Sequence, residues 1–324
     1  MIRGILNINK PSGISSYDVI RIIKRIIKGN AIQPNGKETT QSGSSCPRRV
    51  DSTKIGHAGT LDPMANGVLL ILFNEATKIA SFLTEQKKEY QAEIKLGIKT
   101  DTDDITGKVI QEKEVLKFTP AQIEESLQEF RGEITQIPPA YSALRQQGKR
   151  FYDIAREGKP VEPRPRKLTI YTIELLEANL PYLKIRAIVS KGTYIRSLAR
   201  DIGDRLGCGA TLQALTRTRI GSFSLNDALN IDELNYDAMI NHLLPILKAM
   251  DNLDSVYIKE TAEKKLLTGQ AIKNSELFET DLGQLKTSRV KVFNKNHKIM
   301  AIATRHEGFL KPIRLIYADL SSSN

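Results

Sequence analysis

Apolar and polar positions alternate with period two at Tyr90, Ala92, Ile94 and Leu96, and again at Leu183, Ile185, Ala187 and Val189. This predicts two half-buried strands, with Tyr90 on an inward face. A short strand is expected over 5–8, then a turn at Lys10-Pro11-Ser12-Gly13. A helix should follow, N-capped by Ser15 or Ser16, whose core face is Val19, Ile22, Ile23, Ile26 and Ile27. The unbroken apolar run 68–73 reads as a buried strand that follows a glycine-punctuated loop over 56–63. Ile195, Leu198, Ala199, Ile202 and Leu206 mark one more helix face, which Gly207 closes.

Between 28 and 53 the pattern stops and the chain becomes rich in Gly, Ser, Thr, Asn and Pro, the composition of a flexible insertion. After Asp251 a short helix over 261–267 closed by Gly269, and a hairpin that turns at Asn294 to His297, predict a small β-rich unit. Strands and helices mix without βαβ alternation. The expected class is therefore α+β: a mixed-sheet domain over 1–248 and a second domain over 251–319.

Charge sharpens this picture. The 324 residues carry 48 Lys+Arg against 37 Asp+Glu, a formal net charge of +11. Eight of the basic residues fall between Arg145 and Lys167, among them Lys149 and Arg150, against three acids, with Phe151 and Tyr152 interleaved. That mixture suits a surface that tracks a nucleic-acid backbone, although a solvated basic face has the same composition. Two cysteines make no disulfide framework and no four-ligand zinc site, and no apolar run approaches the length of a membrane span or a signal peptide. A cytoplasmic location and no membrane association are expected.

Most motif readings fail. The acidic loop at Asp101, Asp103 and Asp104 has Ile105 and Thr106 where a calcium loop needs a ligand and a glycine, so capping and turn formation explain it. There is no P-loop and no Gly-x-Ser-x-Gly elbow, and the four histidines are scattered, so no metal is expected. What stands out is Gly56-His57-Ala58-Gly59-Thr60-Leu61-Asp62-Pro63-Met64-Ala65-Asn66-Gly67, which surrounds one carboxylate and one imidazole with glycines. Asp-Pro alone would start a turn, but this density of glycine lets a bulky planar ligand approach the backbone.

That segment resembles the GHxGxLDPxAxG motif of the TruB family of tRNA pseudouridine-55 synthases. Further blocks match in the same order: Asn9 to Gly13, Lys88 to Tyr90, Leu96-Gly97, Thr100 to Asp103, Ile137-Pro138-Pro139-x-Tyr141-Ser142-Ala143-Leu144, Lys191 to Arg196, Gly207 to Ala210, and Leu215-Thr216-Arg217. The resemblance implies a pseudouridine-synthase-type fold and a small C-terminal PUA-like RNA-binding domain. The activity it implies is isomerisation of the uridine at position 55 in the T-loop of tRNA, without a cofactor and without an obligate protein partner. The uracil is detached from its ribose, turned and rejoined through C5.

By the same resemblance Asp62 is the catalytic carboxylate and Arg196 its partner, a nearby guanidinium favouring the charged form. Tyr90 stacks on the base, Tyr194 and Leu215 line the nucleotide pocket, and His57 contacts the RNA once the target nucleotide is flipped out. The stretch 138–167 falls where the family carries an RNA-binding insertion, which makes Lys149 and Arg150 backbone contacts. Attack on the sugar, addition to the base and abstraction of a ribose proton are all open to such an aspartate. Two features depart from the family pattern, the length of 28–53 and Asn66 where many members have threonine or another small residue. A non-catalytic RNA-binding or tRNA-folding module and a scaffold for acidic proteins are the competing readings.

Overall fold

The computed structural model describes residues 2–29, 53–142, 163–278 and 282–318, with Phe151 and Ile154 and the backbone of the two-residue strands Ala31–Ile32, Glu38–Thr39, Arg145–Gln146 and Lys149–Arg150. Most of the 28–53 stretch, most of 143–162 and the side chains of Lys149 and Arg150 lie outside the described residues.

Ten strands form one mixed sheet: β1 (Gly4–Lys10), β2 (Ile55–Ala58), β3 (Asn66–Phe73), β4 (Lys88–Leu96), β5 (Gly132–Gln136), β6 (Arg166–Asn179), β7 (Tyr182–Val189), β8 (Ala210–Ile220), β9 (Phe223–Ser224) and β10 (Leu229–Asn230). The order is β10-β1-β3-β8-β4-β7-β6-β5, with β9 on β8 and β2 on β3. The pairings β1 with β10 and β3 with β8 are parallel and the others antiparallel.

Strand β3 decides where the site lies. Its side chains are buried on both faces because Leu69, Ile71 and Phe73 meet helix α1 (Ser16–Ile27) while Val68, Leu70 and Leu72 face a second core. One edge pairs along its length with β1. The other is shared, β8 taking Asn66 and Gly67 and β2 taking Leu70 to Phe73. The residues expected as a loop at 56–58 are thus strand, since the backbone groups of β3 beyond the end of β8 need partners. The loop proper, 59–65, emerges where the two strands part.

Helix α1 begins with Ser15 as N-cap in a capping box with Asp18. Its buried face runs through Val19, Ile20, Ile23, Ile26 and Ile27, with Ile22 half-buried at its margin. Helices α2 (Ala80–Glu85), α3 (Pro120–Gln128) and α4 (Ile195–Arg205) also belong to this half, as does a short helix over Tyr236–Asn241, and α4 stops at Gly207 in the left-handed conformation (φ 81°). Tyr90, Leu96, Ile123, Ile185, Ile202 and Leu215 share the core beneath α3 and α4.

A second sheet of six strands follows: β11 (Asp254–Ile258), β12 (Ile272–Lys273), β13 (Leu277–Phe278), β14 (Arg289–Phe293), β15 (Ile299–His306) and β16 (Phe309–Ala318), in the order β12-β16-β15-β14-β11-β13. The hairpin expected around 294–297 joins β14 to β15, with His297 at φ 57°. Phe293, Ile299, Ile302 and Ile316 pack into the same core as Val68, Leu72, Ile79 and Phe223, so the second sheet covers the face of β3 opposite α1. Among the described residues no helix is long and apolar enough to cross a membrane.

Candidate active site

A cleft of about 530 Å³ opens where β8 and the 59–65 loop meet the start of α4. Its walls are Gly59 to Asp62, Thr84, Lys88 and Tyr90, Arg166 to Leu168, Lys191 to Arg196, Leu215 and Arg217. Of the residues singled out in the sequence, Asp62, Tyr90, Tyr194, Arg196 and Leu215 come together here although they span more than 150 positions of chain.

The loop that carries Asp62 is held from every side. Ser16 accepts from the Leu61 N–H at 2.9 Å and donates to the Leu61 carbonyl at 3.0 Å, while the Gly13 N–H donates to the Pro63 carbonyl at 2.8 Å. Lys10 is fully buried and donates to the carbonyls of Pro11, Ile14 and Pro63, and burial pushes its ammonium down to about 8. Arg217, 1% exposed, donates from three nitrogens to the carbonyls of Val68, Thr60 and Gly59. The turn at 10–13 and Arg217 thus fix the backbone that carries Asp62.

Arg196 sits in the first turn of α4, 5% exposed, and uses each nitrogen differently. Nε donates to Asp62 Oδ2 at 2.9 Å, Nη1 to the Thr102 carbonyl at 3.0 Å and Nη2 to the Tyr141 carbonyl at 2.8 Å. The Asp104 carboxylate lies 3.5 Å from Nη1. The Asp62 side chain remains 36% exposed, and among the described residues only Arg196 hydrogen-bonds its carboxylate, so one oxygen is oriented by the protein and the other is left for the cleft.

Tyr90 lies on β4 opposite Arg217 of β8 and Ala187 of β7, on the inward face that the alternation predicts. Tyr194 caps α4, its backbone held by both ends of the Gln136 amide, and burial raises its phenol. Lys88 donates to the Thr84 and Gln86 carbonyls at the end of α2. Burial, reinforced by the positive charges of Arg217 and Lys191, pushes its ammonium down to about 8. The cleft therefore sets one carboxylate and two tyrosines among several cations.

His57 is not among the cleft residues. It stands on β2 opposite Ile71, half-buried, with Nδ1 shielded and unpartnered among the described residues; burial and then the Arg217 charge hold its imidazole below the usual range. The acidic loop is a turn as expected, the Asp104 carboxylate accepting from Thr102 and Thr106, but it also supplies Thr102 and Asp104 to Arg196. That second role was not legible in its spacing. Arg217 left a trace: it keeps step with Leu215 on one face of a strand, where an arginine must find buried acceptors.

Residues 48–195 match the family model described as TruB family pseudouridylate synthase (N terminal domain), and 196–256 the one described as tRNA pseudouridylate synthase B C-terminal domain. Over 313 residues the chain is 37% identical to the tRNA pseudouridine synthase B of Clostridium tetani and 39% identical to that of Clostridium acetobutylicum, covering 97% of this chain and 99% of each relative. Among solved structures, the chain is similar to one titled "Crystal Structure of a Cbf5-Nop10-Gar1 Complex", at TM-score 0.67 and 25% identity over 97% of this chain and 84% of that one. Another, titled "Structure of H/ACA RNP bound to a substrate RNA containing 2'-deoxyuridine", matches at TM-score 0.65 and 23% identity over 97% of this chain and 85% of that one.

Proposed function

The chain belongs to the TruB family of tRNA pseudouridylate synthases, and on that premise we propose that it converts the uridine at position 55 of the tRNA T-loop to pseudouridine, with Asp62 as the reacting carboxylate. The observation that carries this reading is the Asp62–Arg196 pair, in which a partly exposed carboxylate in a cleft is held by a buried guanidinium that is itself anchored at two carbonyls.

The reaction breaks the N1–C1′ bond, turns the uracil and closes a C5–C1′ bond, with a proton lost from C5 and one gained at N1. It is redox-neutral and needs a planar base held in place while it is detached. Tyr90 on the cleft floor suits stacking, Leu215 and Tyr194 close the walls, and Asp62 approaches from the 59–65 loop. Stacking of a flipped base offsets part of the cost of taking it out of the folded loop, roughly 1–3 kcal/mol per base. Lys191, Arg166 and Lys167 at the mouth suit the phosphates on either side.

His57, outside the cleft but next to its loop, fits contact with RNA around the flipped nucleotide better than contact with the base. The second sheet is proposed as a PUA-like RNA-binding domain over 251–319, and 138–167, with Lys149 and Arg150, as the stretch that meets the T-arm backbone. The cytoplasmic location expected from the sequence agrees with this substrate.

Purified protein incubated with an unmodified tRNA transcript, followed by mapping of pseudouridine at single-nucleotide resolution, tests the reading. One modified site in the T-loop at position 55, absent with Asp62→Asn while tRNA is still bound, is the expected result. Binding without modification would favour the folding-module reading, and modification by Asp62→Asn at the wild-type rate would remove Asp62 from the chemistry.

A further inference from the structure

Helix α4 presents two arginines one turn apart, and both grip the same two segments. Arg196 donates to the carbonyls of Thr102 and Tyr141. Arg200 donates through Nη1 to Asp103 Oδ2 at 2.9 Å and through Nη2 to the Ile137 carbonyl at 3.0 Å, with Nε on Asp201 of its own helix. Only Arg196 touches Asp62, yet Arg200 secures the neighbours on which Arg196 depends.

Asp103 is the pivot of this arrangement. Its backbone is left-handed, φ 60°, a conformation that residues other than glycine, Asn and Asp seldom adopt. That turn presents the Thr102 carbonyl to Arg196 and seats the Asp104 carboxylate beside the same guanidinium. Asp104 already closes the turn through Thr102 and Thr106, so the Asp103–Arg200 bond is not required for closure. What it adds is a second attachment of the turn to α4, one turn of helix beyond the grip of Arg196 on Thr102.

We propose that Asp103 and Arg200 are a positioning pair for the reaction: Arg200, ion-paired with Asp103 and, beside Ser197, bonded to the Ile137 carbonyl, steadies the 101–104 turn and the Ile137 segment on α4 and thereby the geometry in which Arg196 holds Asp62. This inference rests on the reading of Asp62 as the reacting carboxylate.

The groups that face Asp103 give the pair a signature in pH. Arg200, Arg196 and Asp201 face it from α4, and β8 backs it with the Leu212 N–H on its carbonyl oxygen. Burial outweighs the arginines and raises its carboxyl from 3.8 to about 6. The pair is therefore present above about pH 6 and is lost as the carboxylate takes up a proton below it. Because the folded value lies above the ordinary one, ionised Asp103 weakens the fold at neutral pH rather than supporting it.

The test is Asp103→Asn, which keeps an acceptor oxygen and a residue at ease in the left-handed turn while removing the charge, together with Arg200→Gln and the double variant. Turnover of a tRNA transcript is measured from about pH 5 to 8, with KM and thermal midpoint for each protein. Expected are a kcat lower by about tenfold at neutral pH with KM within about twofold, loss in Asp103→Asn of the wild-type acid limb near pH 6, a thermal midpoint no lower than wild type for Asp103→Asn, and a double variant no worse than the more severe single change. Wild-type kcat in Asp103→Asn, an unchanged acid limb, or a loss of kcat that only follows a lowered midpoint would overturn the inference and leave the functional reading standing. A wild-type protein that binds tRNA but forms no pseudouridine would overturn both.

Discussion

Gly67 of β3 and Arg217 of β8 are paired so closely that a Cβ on Gly67 would lie 2.3 Å from the Arg217 carbonyl oxygen. Gly67 also has φ +104°, which side chains rarely adopt. Gly67→Ala must therefore both strain its own backbone and push β8 away, and β8 carries the arginine that holds the Asp62 loop. A loss of at least about 2 kcal/mol in urea unfolding is expected. A variant as stable as wild type would mean that the two strands separate at little cost.

Arg217→Met should lower stability by about 2–4 kcal/mol, because the carbonyls of Gly59, Thr60 and Val68 lose their donors inside the protein. In the fraction that still folds, turnover should fall more than tRNA affinity, since the loop is loosened and not removed. Equal stability by denaturant titration would show that water satisfies all three.

Arg196→Lys retains a positive charge but has one nitrogen where Arg196 uses three. A kcat lower by about a hundredfold, with tRNA affinity unchanged to within about twofold, is the expected outcome of single-turnover and filter-binding measurements. Near-wild-type kcat would mean that charge alone positions Asp62.

Glu85 joins the two sheets, accepting from Arg289 of β14 at 2.6 Å and from Lys191 of the cleft mouth at 3.1 Å. Those hydrogen bonds, from Arg289 first and then Lys191, hold its carboxyl below the ordinary 4.5, so its contribution is present above that value and is lost as pH falls through the lowered one. The three side chains are part-exposed, and Glu85→Gln should cost less than about 1 kcal/mol at pH 7. The difference from wild type should shrink in high salt and decline steadily as pH falls below 4.5; thermal unfolding followed from pH 7 down through the acid range would show it.

Lys149→Ala combined with Arg150→Ala should weaken tRNA binding and flatten its salt dependence by about one to two in slope, the loss of up to two phosphate contacts. An unchanged slope would take this stretch out of the RNA interface.

The elements whose periodicity is local are legible in the order of the amino acids. The alternation through Tyr90 to Leu96 and Leu183 to Val189, the apolar run of β3, the face of α1 and the glycine at the end of α4 all reappear in the fold, because burial of one face is written residue by residue. The family blocks around Asp62, Tyr90 and Arg196 were equally legible. That 56–58 is a strand follows from long-range pairing alone, since the demand for it comes from the unpaired edge of β3 and not from those residues. Long-range contacts likewise make Lys10, Ser16 and Arg217 clamps on the Asp62 loop and make an acidic turn the support of Arg196. Apart from the Pro11 and Ile14 carbonyls beside Lys10, the acceptors that keep these buried donors satisfied are backbone carbonyls distant in sequence, and carbonyls carry no signal in the amino-acid code.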